Sequence, residues 1–185
     1  MSEYKININY AKALYQLAAE TDQMEPVLAD MRLVNNVCAE NHELVVVFNN
    51  PVIKEAKKIA ILEDLFGEKA TRLTMLFLNF VVKKRRTINL KGISAAFIDL
   101  YRQNHGIIYS ELVTAVEVDD ESISDVKQLI ADYTKHEVEL NARVDNKMLG
   151  GFCMTFDNNM YDARLRTKLR KMRQAFDENI YEKKL

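Results

Sequence analysis

Residues 73–86 read LTMLFLNFVVKKRR, and this stretch carries the strongest structural signal in the chain. Its apolar side chains recur at the 0, 3, 4, 7 and 8 spacing of one helical face, and further apolar residues lie around the rest of the cylinder. That face consists of Leu73, Leu76, Phe77, Phe80 and Val81. The four cations that follow complement the partial negative charge of a helix C-terminus. The spacing predicts a central helix that ends in the basic run.

Four more helices are predicted on the N-terminal side of this one. Helix-spaced apolar residues recur over residues 10–18 and over residues 27–38. Residues 43–48 are rich in valine, but the run is short and lies among helices, so we predict a short third helix there. Residues 54–66 form the fourth helix, and Gly67 stands where a left-handed C-terminal cap belongs.

On the C-terminal side, residues 90–101 predict a sixth helix, which closes near Gly106. Beyond Gly106 the apolar period changes from about 3.6 residues to about 2, which is the alternation of a β-strand. We therefore place a domain boundary at this point. Residues 1–105 are predicted to form a six-helix bundle, and residues 106–185 a small α/β domain.

The second domain is predicted to hold a short mixed sheet, so the fold class of the whole chain is α+β. Its predicted elements are strands over residues 107–118, 138–144, 149–156 and 160–162, and helices over residues 123–133 and 165–176. The final helix places four apolar residues on one stripe and carries cations on its other faces. The stripe consists of Leu165, Leu169, Met172 and Phe176.

The composition is that of a folded, helix-rich protein, with 48% hydrophobic and 29% charged residues, five glycines and two prolines among 185 residues. The apolar runs fall far short of the roughly 20 residues that span a bilayer, so we expect no direct membrane insertion. Cys38 and Cys153 lie far apart in sequence, which favours two buried thiols over a disulfide or a zinc site. The first residues show neither a signal core nor a transit-peptide pattern, so we expect the chain to stay where it is made.

The net charge is −1, but residues 106–163 hold twelve acids and four bases, whereas residues 164–173 hold six bases and no acid. A nucleic-acid-binding protein is usually basic overall, because neutralisation of phosphates supplies most of its affinity. The whole-chain balance therefore argues against nucleic acid as a partner. An adaptor that binds nucleic acid through the basic run, Lys83 to Arg86, stays open as the alternative function.

No pattern of catalytic residues occurs in the sequence. His42, His105 and His136 have no second histidine or cysteine at metal-ligand spacing, so surface or capping roles are expected for them. Walker A, G-x-S-x-G and dinucleotide-binding motifs are absent from the sequence. Acid pairs such as Asp119–Asp120 lie at predicted helix ends, where a solvated face is expected rather than acid–base chemistry. We predict a protein that is not an enzyme and needs neither cofactor nor metal.

Several motifs, in order along the chain, resemble the delta subunit of F-type ATP synthases, a family homologous to the mitochondrial oligomycin-sensitivity-conferring protein. They are YAKALYQLA at 10–18, NPVI at 50–53, KKIAILEDLFG at 57–67, FVVKKRR at 80–86, FIDLY at 97–101 and VDNKMLGG at 144–151. The resemblance covers essentially the whole chain. Two positions depart from the family pattern, since Ala163 stands where serine is frequent and Lys83–Lys84 are more basic than usual.

The resemblance implies a stator, a subunit that transmits force without doing chemistry. In this family the helical bundle caps the catalytic F1 head and binds N-terminal helices of alpha subunits, while the C-terminal domain holds the b subunits of the peripheral stalk. One copy is expected in the hetero-oligomeric complex, which supports proton-driven ATP synthesis. The expected location is the cytoplasmic face of the bacterial plasma membrane, where the chain is peripheral and held through the complex.

The resemblance also implies two sets of partner-binding residues. For the alpha-subunit helix, the family's groove between helices one and five corresponds here to Tyr10, Ala13, Leu14, Leu17, Phe77, Phe80 and Val81. Some of these residues are expected to belong to the core as well. For the b subunits, the last helix is implied, at Leu165, Leu169, Met172 and Phe176. Whether the alanines of helix one seat a partner or only pack inside the bundle stays open.

Overall fold

The computed structural model describes residues 3–156 and 159–177. The chain divides into two compact units, one ending at Asn104 and the other beginning at His105. Helices make up the first unit, and the second combines helices with a four-stranded sheet. The fold is therefore α+β, as predicted.

The first unit contains the six predicted helices. They are α1 (Glu3–Glu20), α2 (Met24–Glu40), α3 (His42–Asn49), α4 (Glu55–Phe66), α5 (Arg72–Lys83) and α6 (Leu90–His105), with a single 3-10 turn (Thr87–Asn89) before α6. The valine-rich segment is helical, as predicted. Helix α3 extends beyond the valines at both ends and buries Phe48. The apolar stripe predicted for the second helix is buried in full at Val27, Met31, Val34 and Cys38.

The start of α5 is held by a buried carboxylate of α2. The Thr71 side chain accepts a hydrogen bond from the Thr74 N–H at 3.3 Å and so caps the helix. The Thr71 N–H and hydroxyl both donate to Asp30 Oδ2, each at 2.8 Å. Asp30 is only 6% exposed, so these bonds replace the water that its carboxylate loses on folding. The pair of helices is thereby fixed in register at one end of α5.

A buried lysine ties the end of α3 to the segment that follows α5. Lys58 Nζ donates to the Phe48 carbonyl at 2.6 Å and lies 3.3 Å from the Thr87 hydroxyl, which itself donates to the same carbonyl at 2.8 Å. Burial lowers the pKa of the Lys58 ammonium, because the charged form loses hydration. The hydrogen bonds offset part of that loss.

The second unit is built around a mixed sheet. Its elements are β1 (Ile107–Thr114), α7 (Asp120–Thr134), β2 (Glu137–Val144), β3 (Phe152–Phe156), β4 (Asn159–Asp162) and α8 (Leu165–Asp177). The strand order is β2-β1-β3-β4, with β1 and β2 parallel and the other pairs antiparallel. One core cluster joins α7 to the sheet through Leu112, Ile130, Val138 and Met154.

Three local predictions are corrected by the structure. Gly67 keeps right-handed dihedrals (φ −57°, ψ −38°), so the left-handed cap is wrong. The chain continues in a turn instead, in which the Ala70 N–H donates to the Phe66 carbonyl at 2.7 Å. β1 ends at Thr114 rather than at residue 118, and β3 begins only at Phe152.

β3 starts late because the backbone at Gly151 does not have the extended dihedrals of a strand. This residue has φ +84°, and a Cβ there would lie 2.4 Å from the Ala163 carbonyl. The glycine thus lets the entry to β3 approach the segment that leads into α8.

Both cysteines are free thiols. Cys38 is buried, whereas Cys153 is half-buried, so the expectation of two buried thiols holds fully only for the first. Burial raises the pKa of the Cys38 thiol. No helix within the described residues is both long enough and apolar enough to cross a membrane.

We expect Asp30→Ala to lower the free energy of unfolding by about 1–3 kcal/mol, because it leaves the Thr71 N–H and hydroxyl without their acceptor. Asp64→Ala is the matched control, since Asp64 is an exposed carboxylate on α4 of the same unit. Urea unfolding of both variants measures the difference. An equal, small loss for the two would contradict the role assigned to Asp30.

Candidate functional site

Helices α1 and α5 meet at an aromatic contact. The rings of Tyr10 and Phe80 have centroids 6.1 Å apart at an interplanar angle of 43°. Lys84 Nζ lies 5.5 Å from the centroid of the Phe80 ring, within cation–π range. The two helices predicted to form the groove are therefore neighbours at this level.

Burial divides the seven residues that were predicted to bind the alpha-subunit helix. Leu14, Phe77 and Val81 are 1%, 8% and 0% exposed, so they belong to the core of the bundle. Leu17 and Phe80 are 42% and 47% exposed, Ala13 is exposed and Tyr10 is half-buried. In the described structure, only the exposed and half-buried residues are available to a partner. The three buried residues pack in the core of the bundle.

The inward face of α5 differs from the predicted one by one residue, or about 100° of rotation. The buried residues are Thr74, Phe77, Leu78, Val81 and Val82. Thr74 takes a core position because its hydroxyl oxygen lies 3.0 Å from that of Thr71, which satisfies it. Leu76 and Phe80 therefore point outward, and Leu76 is 60% exposed.

Leu76 is a functional candidate that the predicted site omitted. Its periodic position placed it on the predicted apolar face of α5, and the helix is apolar around most of its circumference, so periodicity did not distinguish it as a partner-binding residue. Together, Tyr10, Ala13, Leu17, Leu76 and Phe80 are named here the α1–α5 surface. Exposed apolar groups on two neighbouring helices, which meet here at Tyr10 and Phe80, are typical of interaction sites.

The second predicted surface lies on α8. Leu165, Leu169, Met172 and Phe176 are 46%, 59%, 61% and 86% exposed, so all four remain uncovered. They share one stripe of the helix and are named here the α8 stripe. A helix that leaves its whole apolar stripe in solvent is suited to binding another chain.

The start of α8 is positioned by Asp162. Its Oδ1 accepts from the Arg164 N–H at 3.0 Å and from Arg164 Nε at 2.9 Å, and its Oδ2 accepts from Arg164 Nη2 at 2.7 Å and from the Thr167 hydroxyl at 2.9 Å. The Arg164 guanidinium holds the pKa of the Asp162 carboxyl far below its ordinary value. This bidentate clamp fixes the direction in which α8 leaves the sheet.

The remaining sequence candidates have structural roles. Asp119 caps α7 by accepting from the N–H of Ser122 at 3.2 Å and from its hydroxyl at 2.9 Å, and these bonds lower the pKa of the Asp119 carboxyl. In the basic run, Arg85 pairs with Glu55 at 3.1 Å on the surface. Within residues 3–156 and 159–177, no three histidine, cysteine or acidic side chains are grouped to hold a metal.

Comparison with known proteins identifies the family. Residues 6–176 match the family described as ATP synthase delta (OSCP) subunit. The chain belongs to this family. It is 36% identical over 180 residues to the ATP synthase subunit delta of Cytophaga hutchinsonii, covering 97% of this chain and 98% of that protein. It is 30% identical over 174 residues to the subunit delta of Parabacteroides distasonis, covering 94% and 97%.

The fold has a counterpart among solved structures. A chain of the Toxoplasma gondii mitochondrial ATP synthase hexamer aligns with a TM-score of 0.72 and 20% identity, covering 92% of this chain and 96% of that one. Family membership makes the chain a subunit of ATP synthase, and within that complex the delta subunit is structural rather than catalytic.

The inward face of α5 can be tested with two leucines of that helix. Leu78→Ala removes a side chain that is 0% exposed and should cost about 2–5 kcal/mol of unfolding free energy, including the cavity it leaves. Leu76→Ala should change stability by no more than about 0.5 kcal/mol, because that side chain is already in solvent. Chemical denaturation distinguishes them, and comparable losses would mean that Leu76 is a core residue.

The Asp162 clamp predicts a pH dependence. Because the folded pKa is depressed, the clamp contributes stability in full above the unfolded pKa of about 3.9 and loses it as pH falls through the folded value. Asp162→Asn should therefore lower the thermal midpoint at pH 7, and the gap to the original chain should narrow only in strong acid. Asp132→Asn, at an exposed position on α7, is the control. If the thermal midpoints of Asp162→Asn and the original chain became equal near pH 6, the proposed clamp would be contradicted.

Proposed function

We propose that this chain is the stator subunit that links the catalytic F1 head to the peripheral stalk. The observation that carries the proposal is the pair of uncovered apolar surfaces, one on each unit, in a member of the delta subunit family. A linker needs two separate binding surfaces and no reaction centre. The α1–α5 surface binds the N-terminal helix of an alpha subunit, and the α8 stripe binds the b subunits.

The head contact is a helix-in-groove interaction. Ala13 allows a partner backbone to approach closely, whereas Tyr10 and Phe80 supply rigid aromatic anchors that lose little entropy on binding. Leu17 and Leu76 extend the apolar area on either side, since both are largely in solvent. An amphipathic helix with apolar residues every three or four positions matches this surface.

The stalk contact follows from the uncovered face of α8. Its four apolar side chains span about 16 Å along the helix at 1.5 Å per residue, which is enough for three turns of a partner helix. A contact of about 800 Å² per partner is the ordinary size for a stable interface. The α8 stripe is proposed as the centre of that contact.

Two contacts on one chain suit a stator mechanically. The stator must resist the torque of rotation, and simultaneous binding at two sites makes dissociation slower than either contact alone does. The protein acts by holding its neighbours in place during proton-driven ATP synthesis. In a bacterium it lies at the cytoplasmic face of the plasma membrane, attached through the complex.

The head contact can be tested by calorimetry with a peptide from the N-terminus of the alpha subunit. Leu76→Asp should weaken binding at least tenfold, about 1.4 kcal/mol, because it places a charge within the proposed apolar contact. Leu129→Asp is the matched control, since Leu129 is 67% exposed on α7 and lies outside the surface. No heat at micromolar peptide, or an equal loss in both variants, would refute the contact.

A further inference from the structure

A groove lies between α8 and the loop that precedes β3. Its volume is about 660 Å³, and its walls include Asp145, Lys147 and Leu149 on one side and Arg166, Leu169 and Arg170 on the other. All of these residues belong to the second unit. The groove borders the α8 stripe, with which it shares Leu169.

The walls of this groove are tied together by the backbone. The Leu165 N–H donates to the Gly150 carbonyl at 3.0 Å, which joins the start of α8 to the loop. The loop is itself held, because the Asp145 N–H donates to the Thr114 carbonyl at 2.9 Å. A groove with both walls fixed before binding loses little entropy when a partner enters.

The groove is strongly cationic. Among the residues that the structure describes, five basic ones line it, at Lys147, Arg164, Arg166, Arg170 and Arg173, against the one carboxylate of Asp145. Asp145 Oδ1 accepts from the Lys147 N–H at 2.9 Å and so shapes the loop. Arg164 is neutralised by Asp162. The side chains of Lys147, Arg166 and Arg170 are exposed at the wall and available to an anionic partner.

The arrangement of cations on α8 indicates which anion they fit. Arginine occupies positions 166, 170 and 173, on the side of the α8 stripe that lines the groove. At about 100° per residue, Lys168 and Lys171 fall on the opposite side of the stripe. Arginine binds a carboxylate through two parallel hydrogen bonds, whereas lysine acts as a point charge. The groove side is thus the one equipped for carboxylates.

Apolar side chains accompany these cations. Leu149 is 73% exposed and Leu169 is 59% exposed, and both line the groove. An occupant must therefore present apolar side chains and carboxylates together. An acidic amphipathic helix does so, with its carboxylates in a row beside its apolar stripe.

We propose that this groove binds an acidic amphipathic segment of the b-subunit stalk, whose carboxylates pair with Arg166 and Arg170. Its apolar side chains contact Leu149 and Leu169, and its helix continues along the α8 stripe. The inference rests on the proposed stalk contact. It adds the chemistry of that contact, which is pairing of carboxylates with arginines, and its position on the arginine side of α8. A concave wall favours a protein segment over a membrane, since a basic helix lying on a membrane presents a convex face.

The test compares two charge-matched double variants of the full chain, with the soluble part of the b subunit as the probe. Arg166→Gln with Arg170→Gln removes two cations from the groove side, and Lys168→Gln with Lys171→Gln removes two from the other side. We expect about a tenfold loss of affinity for the first variant and less than about threefold for the second. At high salt the difference in b-subunit affinity between the two double variants should become smaller, because salt screens exposed ion pairs.

A third variant separates this inference from the function on which it rests. Met172→Asp places a charge in the α8 stripe and should weaken b-subunit binding whichever side the carboxylates occupy. If Met172→Asp weakens binding while both double variants lose affinity equally, the stalk contact stands and the groove is refuted. If the original chain does not bind the b subunit, both are refuted. Far-UV melting of each variant confirms folding, since every substituted side chain is exposed.

Binding of the original chain to vesicles rich in phosphatidylglycerol is the remaining measurement. We expect the arginine and lysine double variants to lose vesicle binding alike, because a charged membrane attracts cations without regard to their side of the helix. A selective loss with the arginine variant, together with unchanged b-subunit binding, would assign the groove to a lipid surface and overturn the proposal.

Discussion

The packing of helix α5 is the interaction on which the first unit depends. The helix is apolar around most of its circumference, but the bundle covers only one side of it. Its inward residues, among them Leu78 and Val81, are completely buried. Burial of apolar area supplies most of the stability of such a bundle, at about 25 cal/mol per Å². The orientation of the helix decides which apolar residues remain for a partner. The hydrogen bonds from Thr71 to Asp30 contribute to that orientation, since they hold one end of α5 against α2.

The second unit also leaves an apolar helix face exposed, but there the helix is α8, which is held at its start by polar contacts. Its sheet is packed on α7 through one small core, and α8 extends from β4 with its apolar stripe uncovered. The Asp162 clamp gives this exposed helix a defined starting direction without a core of its own. In both units, therefore, polar contacts at a helix start place an apolar face where another chain can reach it. This arrangement suits a subunit whose role within ATP synthase is structural.

Much of the fold follows from local patterns in the sequence. The apolar period distinguishes helices from strands, so the eight predicted helices and the four predicted strands all occur near their expected positions. The errors lie where local pattern carries little information. Gly67 is compatible with several backbone conformations, and the end of β1 depends on how far β2 and β3 can pair with it. Hydrogen bonding to distant residues settles such boundaries.

For the two candidate surfaces, too, the sequence determined some features and the tertiary structure determined others. For α8, the sequence by itself determined the helix and its one apolar stripe, because cations occupy the other faces. The tertiary structure decided that this stripe remains exposed, since no other described element covers it. For α5, periodicity established the helix and its central place but left its rotation open, since apolar residues surround most of the cylinder. The tertiary structure decided that Leu78 points inward and Leu76 outward. The physical reason is that the bundle can cover only one side of α5, and the bonded hydroxyl of Thr74 lies on that side.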